Sequence, residues 1–298
     1  MKILITGSNG FVGSHLVQYF LNKNIDFLAT GSRPTSIHSY NSINYRMMNI
    51  TDTTKINETI QWYSPTIILH AAALSKPDEC HINREYAIEV NVSGTDRLLQ
   101  AAQKLSHAVH FIYISTDFVF GEGGPHCEDD PKNPLNFYGT TKLMAEQIVM
   151  ESGLPYSIIR PSFIYGSSIN DVRKDFLHTI LQQVQKGQPV NIVNDQFRTP
   201  TYINDLCLAV HNIIQENITG IFHISGSNYL TPYQMVLKML ELLKMPNTLV
   251  TPVTGENFKE PVMRTKKGGL NIQKAQRLFQ FEPTDFSKAL KLIFIGAK

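Results

Sequence analysis

Tyr138 and Lys142 stand four residues apart in Tyr138-Gly139-Thr140-Thr141-Lys142, which puts a phenol and an ammonium one turn apart on one helix face. A phenol with its ordinary pKa of about 10 is protonated at neutral pH, so it can give a proton to a developing alkoxide. An adjacent ammonium stabilises the phenolate and lowers that pKa toward the useful range. Thr116, in Tyr113-Ile114-Ser115-Thr116-Asp117-Phe118 at the end of an apolar run, can orient a carbonyl oxygen beside the phenol. Asp117 can touch the same substrate, or simply form a turn. Together these groups amount to a proton-delivery set for carbonyl chemistry.

A second feature opens the chain. Gly7-Ser8-Asn9-Gly10-Phe11-Val12-Gly13 follows the apolar run Ile3-Leu4-Ile5-Thr6. Glycines let backbone approach a pyrophosphate without Cβ atoms in the way, and the helix that follows offers free N–H groups and a favourable dipole. The turn therefore reads as a dinucleotide site. Further on, where an NAD-specific site offers a carboxylate to the ribose 2′-hydroxyl, stands Thr30-Gly31-Ser32-Arg33. A carboxylate beside a 2′-phosphate would cost about 4 kcal/mol for unit charges about 4 Å apart at an effective dielectric of about 20, whereas a guanidinium chelates it. Ser32 and Arg33 thus favour NADPH, with NADH the alternative if Arg33 stacks on adenine instead.

Apolar periodicity supplies the elements that must position these groups. Strands are expected near 2–6, 25–30, 44–48, 66–70, 109–115 and 156–160, and helices near 11–22, 53–63, 83–105 and 136–151. Strands separated by helices require right-handed crossovers, hence an α/β fold built on a Rossmann-type doubly wound parallel sheet. Beyond Arg160-Pro161 the regularity breaks into a helix near 172–186, an extended stretch 187–201, a helix 202–215 and a strand 221–224 that can return to the sheet. Helices near 231–243, 271–279 and 285–295 follow. Residues 1–160 plus about 201–224 are expected to form the dinucleotide-binding domain. Residues of about 161–200 plus 225–298 form a smaller mixed α/β substrate-binding domain, closing over the carboxyl ends of the strands.

Composition narrows the partners. Across 298 residues, 27 Lys and Arg against 25 Asp and Glu give a net charge of +2, so no bulk field points to nucleic acid or a membrane surface. No apolar run is long enough to span a bilayer, and no basic leader precedes the first strand, which predicts a cytoplasmic protein. Cys80, Cys127 and Cys207 are widely spaced and suit neither disulfides nor a zinc site. Glu128-Asp129-Asp130 before Pro131 reads as a solvated loop, so no metal is expected. His70, following an apolar strand, is expected to pack against the cofactor cleft rather than to catalyse.

With these pieces in register the chain resembles the extended short-chain dehydrogenase/reductase family over essentially its whole length. His70-Ala71-Ala72-Ala73, Asn91 within Val90-Asn91-Val92, and Arg160-Pro161-Ser162-Phe163-Ile164-Tyr165-Gly166 add to the likeness. The resemblance implies Tyr138, Lys142 and Thr116 as the catalytic set. It implies cofactor contacts at Gly7, Asn9, Gly10, Phe11, Val12 and Gly13, at Ser32 and Arg33, at Asn49 and Ile50, at Ala71, Ala72, Ala73 and Asn91, and at Tyr138 and Lys142. Within the family, Ser115-Thr116-Asp117-Phe118-Val119-Phe120-Gly121, Pro125, Glu128, Asp195-Gln196 and Pro200-Thr201 look most like the dTDP-4-dehydrorhamnose reductase branch. That branch reduces a 4-keto-6-deoxy sugar nucleotide in deoxysugar biosynthesis. The likeness implies a nucleotide-sugar substrate near Thr116, Asp117, Phe118 and Arg264, and because an anionic diphosphate needs local cations, Arg198, Lys266 and Lys267 can grip it, with Lys266-Lys267 equally readable as an exposed loop. It also offers helices 83–105 and 136–151 as a homodimer face, although packing on their own sheet explains the same apolar positions.

Departures from that branch are Phe11-Val12 in the glycine turn, Phe163 in place of a tryptophan, and Arg264-Thr265 in place of Arg-Pro. The Thr-Asp-Glu triplet of the 4,6-dehydratases is replaced by Thr116-Asp117-Phe118, which removes their elimination base. Two alternatives stay open: an epimerase or reductase of another nucleotide sugar, and a cofactor-binding regulatory subunit resembling the β subunit of methionine adenosyltransferase.

Overall fold

A computed structural model describes residues 1–34, 45–169, 174–258 and 261–296. β1 (Ile3–Thr6) leads through the glycine turn into α1 (Phe11–Asn22), followed by β2 (Phe27–Gly31), β3 (Tyr45–Met47), α2 (Thr53–Tyr63) and β4 (Ile67–His70). Next come α3 (Pro77–Ile82), α4 (Arg84–Ile88), α5 (Gly94–Gln103), β5 (His110–Ile114), α6 (Phe137–Glu151) and β6 (Tyr156–Arg160). The second half holds β7 (Ile164–Tyr165), α7 (Phe176–Gln185), β8 (Val190–Val193), β9 (Thr201–Tyr202), α8 (Ile203–Gln215) and β10 (Gly220–His223). It ends with α9 (Pro232–Leu242), β11 (Val250–Val253), α10 (Gly255–Phe258), α11 (Gln273–Phe279) and α12 (Phe286–Phe294).

Seven strands form one sheet in the order β10-β6-β5-β4-β1-β2-β3, and every neighbouring pair is parallel. The expected doubly wound sheet is therefore present, and β10 does return to it beside β6. Every residue of β1, β4 and β5 is buried, because helices cover both faces. Alternation along β1 divides the core. Ile3 and Ile5 pack with Leu16, Phe20 and Val210 on one side, while Leu4 packs with Ile56, Leu98 and Val149 on the other. Strand order reverses between β1 and β4, and the crevice outside the carboxyl ends of these strands is where such sheets bind ligands.

Several elements differ from the sequence expectation. The helix expected over 83–105 is α4 and α5 joined by a π-helical turn at Glu89–Ser93. The extra residue in that turn accommodates a buried Asn91 whose side chain bonds both backbone groups of Leu74. Ala87, Val90, Leu98, Leu99 and Ala102 are buried as their spacing demands. α3 was not anticipated, nor was β11, which pairs with β8 and carries Pro252 that obscures its strand pattern. The expected starts of the strand at 44 and the helix at 172 lie outside the described residues. Glu128 is not solvated: its carboxylate accepts from the His223 backbone N–H at 3.0 Å, and its carbonyl accepts from Arg160, so it is only 6% exposed. Among the described residues no helix is long and apolar enough to cross a membrane.

Candidate active site

The glycine turn is shaped by contacts that no side chain would fit. Gly7 has a φ of +71°, and a Cβ there would meet the Ala72 backbone at 2.6 Å. At Gly13 a Cβ would stand 2.2 Å from the Gly7 carbonyl oxygen, so α1 packs directly on the turn it follows. Gly10 caps α1 with no side chain to take the first N–H groups, and the first turn holds no acid. That end of the helix is left to an anion. Asn9 donates Nδ2 to the Arg33 carbonyl at 3.2 Å and to the Tyr45 hydroxyl at 3.1 Å, while its Oδ1 is buried with no partner among the described residues.

Over this turn runs a cavity of about 330 Å³. Gly7, Asn9, Gly10, Phe11, Val12 and Gly13 line it. Ser32 and Arg33, Asn49 and Ile50, and Ala71, Ala72 and Ala73 line it as expected, whereas Tyr138 and Lys142, also expected at the cofactor, line the neighbouring cavity instead. Leu74, Ser75, Tyr86 and Val90 were not anticipated, since nothing in their types marks a binding surface. A cradle that only glycines permit, an uncapped helix N-terminus and an orphaned Asn9 oxygen fit a dinucleotide. Asn91 lines neither this cavity nor its neighbour. Its Oδ1 accepts from Leu74 N–H at 2.8 Å and its Nδ2 donates to Thr141 at 3.0 Å, so it anchors the loop after β4 against α6.

A second cavity of about 320 Å³ is lined by Thr116, Asp117, Phe118, Tyr138, Lys142 and Arg264. Phe11, Val12, Ala71, Ala73 and Ser75 belong to both, so the two share a wall. Local sequence explains how the acid arrives there. Asn136 caps α6 by accepting from Gly139 N–H at 3.0 Å. Gly139 lets the helix press on the preceding turn, since a Cβ there would be 2.2 Å from the Phe118 carbonyl oxygen. Tyr138 is thereby brought to the same cavity wall as Thr116 and edge-on to Phe118, with ring centres 5.7 Å apart.

Electrostatics in this cavity differ from the simple expectation. Burial raises the Tyr138 phenol well above its ordinary pKa, the bond to Thr116 opposes that, and the anticipated lowering by Lys142 is not found. The Lys142 ammonium is instead directed at the Ile114 carbonyl, 2.8 Å away, and over the Tyr113 ring, 4.0 Å from its centre. Burial also raises the Asp117 carboxyl, with Arg198 and the bonded hydroxyls of Ser162 and Thr116 opposing. His70 bonds the buried Thr6 and Thr95 hydroxyls and is pulled down to about 3 by burial, so it is a neutral core side chain.

The expected substrate cations are dispersed. Arg264 reaches the second cavity and donates to Asp78 at 3.2 Å. Arg198 is 4% exposed and lines neither large cavity, because its guanidinium ties the carbonyls of Phe197 and Thr265 at 2.7 and 2.8 Å. It borders a small hollow behind Asp117 and Phe118. Lys266 and Lys267 are exposed, and their backbone N–H groups are held by the Glu122 carboxylate. Among the described residues no group of three His, Cys, Asp or Glu is placed to hold a metal ion.

Comparison with known proteins places this architecture. Methionine adenosyltransferase 2 subunit beta of Danio rerio is 28% identical over 301 residues, covering 97% of this chain and 89% of that one. Spore coat polysaccharide biosynthesis protein SpsK of Bacillus subtilis (strain 168) is 27% identical over 257 residues, covering 86% of this chain and 84% of that one. The crystal structure of dTDP-4-dehydrorhamnose reductase from Bacillus anthracis str. Ames in complex with NADP has a TM-score of 0.86 and 26% identity, with 99% of both chains covered. Residues 1–296 match the family described as the RmlD substrate binding domain. With that match running from the first strand past the last helix, the chain belongs to the RmlD substrate binding domain family.

Proposed function

We propose that the protein is an NADPH-dependent reductase of a 4-keto-6-deoxy nucleotide sugar. The observation that carries this reading is that Tyr138, Thr116 and Lys142 line one cavity, which shares a wall with the glycine-turn cleft. Gly10 to Gly13 would hold the diphosphate, Ser32 and Arg33 the adenosine 2′-phosphate, and Ala71 to Ala73 the flank. When bound, a reduced nicotinamide supplies hydride to a carbonyl carbon. Tyr138, kept protonated by burial, delivers a proton to the carbonyl oxygen, and Thr116 holds that oxygen in line. Lys142 lines the same cavity, its ammonium held by the Ile114 carbonyl at 2.8 Å. Phe118 offers no carboxylate for water elimination, which favours simple reduction over dehydration. The domain division set out above goes with this reading, the second part supplying Arg264 to the substrate cavity.

A screen of dTDP-, UDP-, GDP- and CDP-linked 4-keto sugars for NADPH consumption tests the proposal. Turnover of the dTDP-linked 4-keto-6-deoxy sugar supports it, and no consumption with any of the four sinks it. Arg33→Ala is expected to weaken NADPH by about 10- to 100-fold, the worth of a hydrogen bond to a charged group, and to leave NADH nearly unchanged. Equal losses for both cofactors, measured by fluorescence titration, would reassign Arg33 to the adenine.

Similarity to methionine adenosyltransferase 2 subunit beta favours a second reading, a cofactor-binding regulatory subunit. The complete set of Tyr138, Lys142 and Thr116 weighs against it, because binding alone has no chemical use for all three. Co-purification with a stoichiometric enzyme partner, together with absent reductase activity, would favour this second reading.

A further inference from the structure

Lys142 holds its ammonium where burial opposes charge. The side chain is 2% exposed, and burial pulls its pKa down to about 7. The strongest opposing influence is Glu146, one helical turn further along α6. Glu146 is fully buried, and both its oxygens are engaged. Oε1 accepts from Arg160 Nε at 2.9 Å and from the Ser115 hydroxyl, and Oε2 accepts from Arg160 Nη2 at 2.6 Å. Arg160 is fixed in turn by the Glu128 carbonyl at 3.1 Å. Ser115 lines the substrate cavity, so a chain of contacts runs from its wall to the buried ion pair.

The other groups facing Lys142 are poor sources of compensating charge near neutral pH. Cys80 on α3 is a thiol pushed up to about 11 by burial, and burial also raises the Tyr113 phenol on β5. His70 on β4 is neutral, and Tyr138 on α6 is a protonated phenol. Asp117 lines the same cavity, where it accepts from Ser162 at 2.6 Å and faces Arg198. Arg160 on β6 is a second cation, and it stands on the far side of the Glu146 ion pair at 2.6 Å rather than supplying any negative charge.

We propose that Glu146 is a positioning residue for the reaction: its carboxylate, clamped by Arg160 and Ser115, keeps Lys142 cationic at the wall of the substrate cavity. The catalytic consequence rests on the reductase reading, whereas the charge on Lys142 is measurable without turnover. The probe is the side-chain ¹³Cε signal of Lys142 in the full-length chain, assigned by its loss in Lys142→Arg and followed from acidic through neutral to alkaline pH. In Glu146→Gln the midpoint is expected to fall by about one pH unit or more, since an opposing charge that favoured the cation is gone. The alkaline limb of kcat/KM should move down with it while KM stays nearly constant.

Glu146→Gln leaves Arg160 buried without its counter-charge, so Glu146→Gln/Arg160→Met serves as the variant with no unpaired charge. It is expected to lower the midpoint too, by less than Glu146→Gln alone, because the carboxylate one turn from Lys142 on α6 is lost together with its cation on β6. An unmoved midpoint in either folded variant overturns the proposal even if the wild type consumes NADPH. A lowered midpoint in a protein that reduces no keto sugar would instead overturn the reductase reading and leave the electrostatic role standing.

Discussion

Tyr138→Phe is expected to lower turnover by about 10²- to 10⁴-fold while leaving NADPH affinity nearly unchanged, the loss typical of a positioned acid. The substitution removes one oxygen and keeps the ring that packs edge-on to Phe118. It also frees the Thr116 hydroxyl, which keeps a partner in Asp117 at 3.3 Å and still accepts from Phe118 N–H. The fold has no reason to change, and the cleft over the glycine turn is not lined by Tyr138. Paired measurements of single-turnover rate and cofactor titration check the result. Lost cofactor binding would mean that the phenol belongs to the dinucleotide site, and an undiminished rate would remove it from the chemistry.

Gly13→Ala should produce the complementary defect. Its Cβ would lie 2.2 Å from the Gly7 oxygen, 2.7 Å from the Gly7 carbonyl carbon and 2.8 Å from Ser8 Cα. All three are backbone atoms, so none can rotate aside, and α1 must shift off the turn. Overpacking of this kind costs about 1–3 kcal/mol, which at its upper end is about 10²-fold in affinity. NADPH binding should weaken by about that factor and Tm should fall, while the rate at saturating cofactor is largely retained. Wild-type affinity in a folded Gly13→Ala protein, measured by titration beside a thermal melt, would show that the diphosphate does not lie on this turn.

Much of this architecture can be read from residues alone because the signals are local. Uninterrupted apolar strands, Gly7, Gly10 and Gly13 after β1, and the i, i+4 pair Tyr138 and Lys142 each depend on neighbours within a turn or two. What escaped depends on partners far away in the chain. Glu146 and Arg160 look like surface charges until α6 lies against β6 and each buries the other. Glu146 does sit two turns from Tyr138 on the same helix face, and that spacing was the available sign of its part in the site. Glu128 was assigned to solvent because its acidic neighbours suggested it, yet its oxygens serve His223 and Arg160. Arg198 reads from its charge as a substrate cation, and only the fold shows that the carbonyls of Phe197 and Thr265 also hold its guanidinium.

Because Gly139 rests on the Phe118 carbonyl, the separation between proton donor and substrate-facing turn is set by main chain touching main chain. On the reductase reading, selectivity would by contrast reside in side chains that line the cavity, such as Phe118, Phe163 and Arg264. Alignment and choice of sugar are therefore separable properties. A lineage or a designer can exchange the latter set to accept a new ligand without retuning the machinery that protonates it.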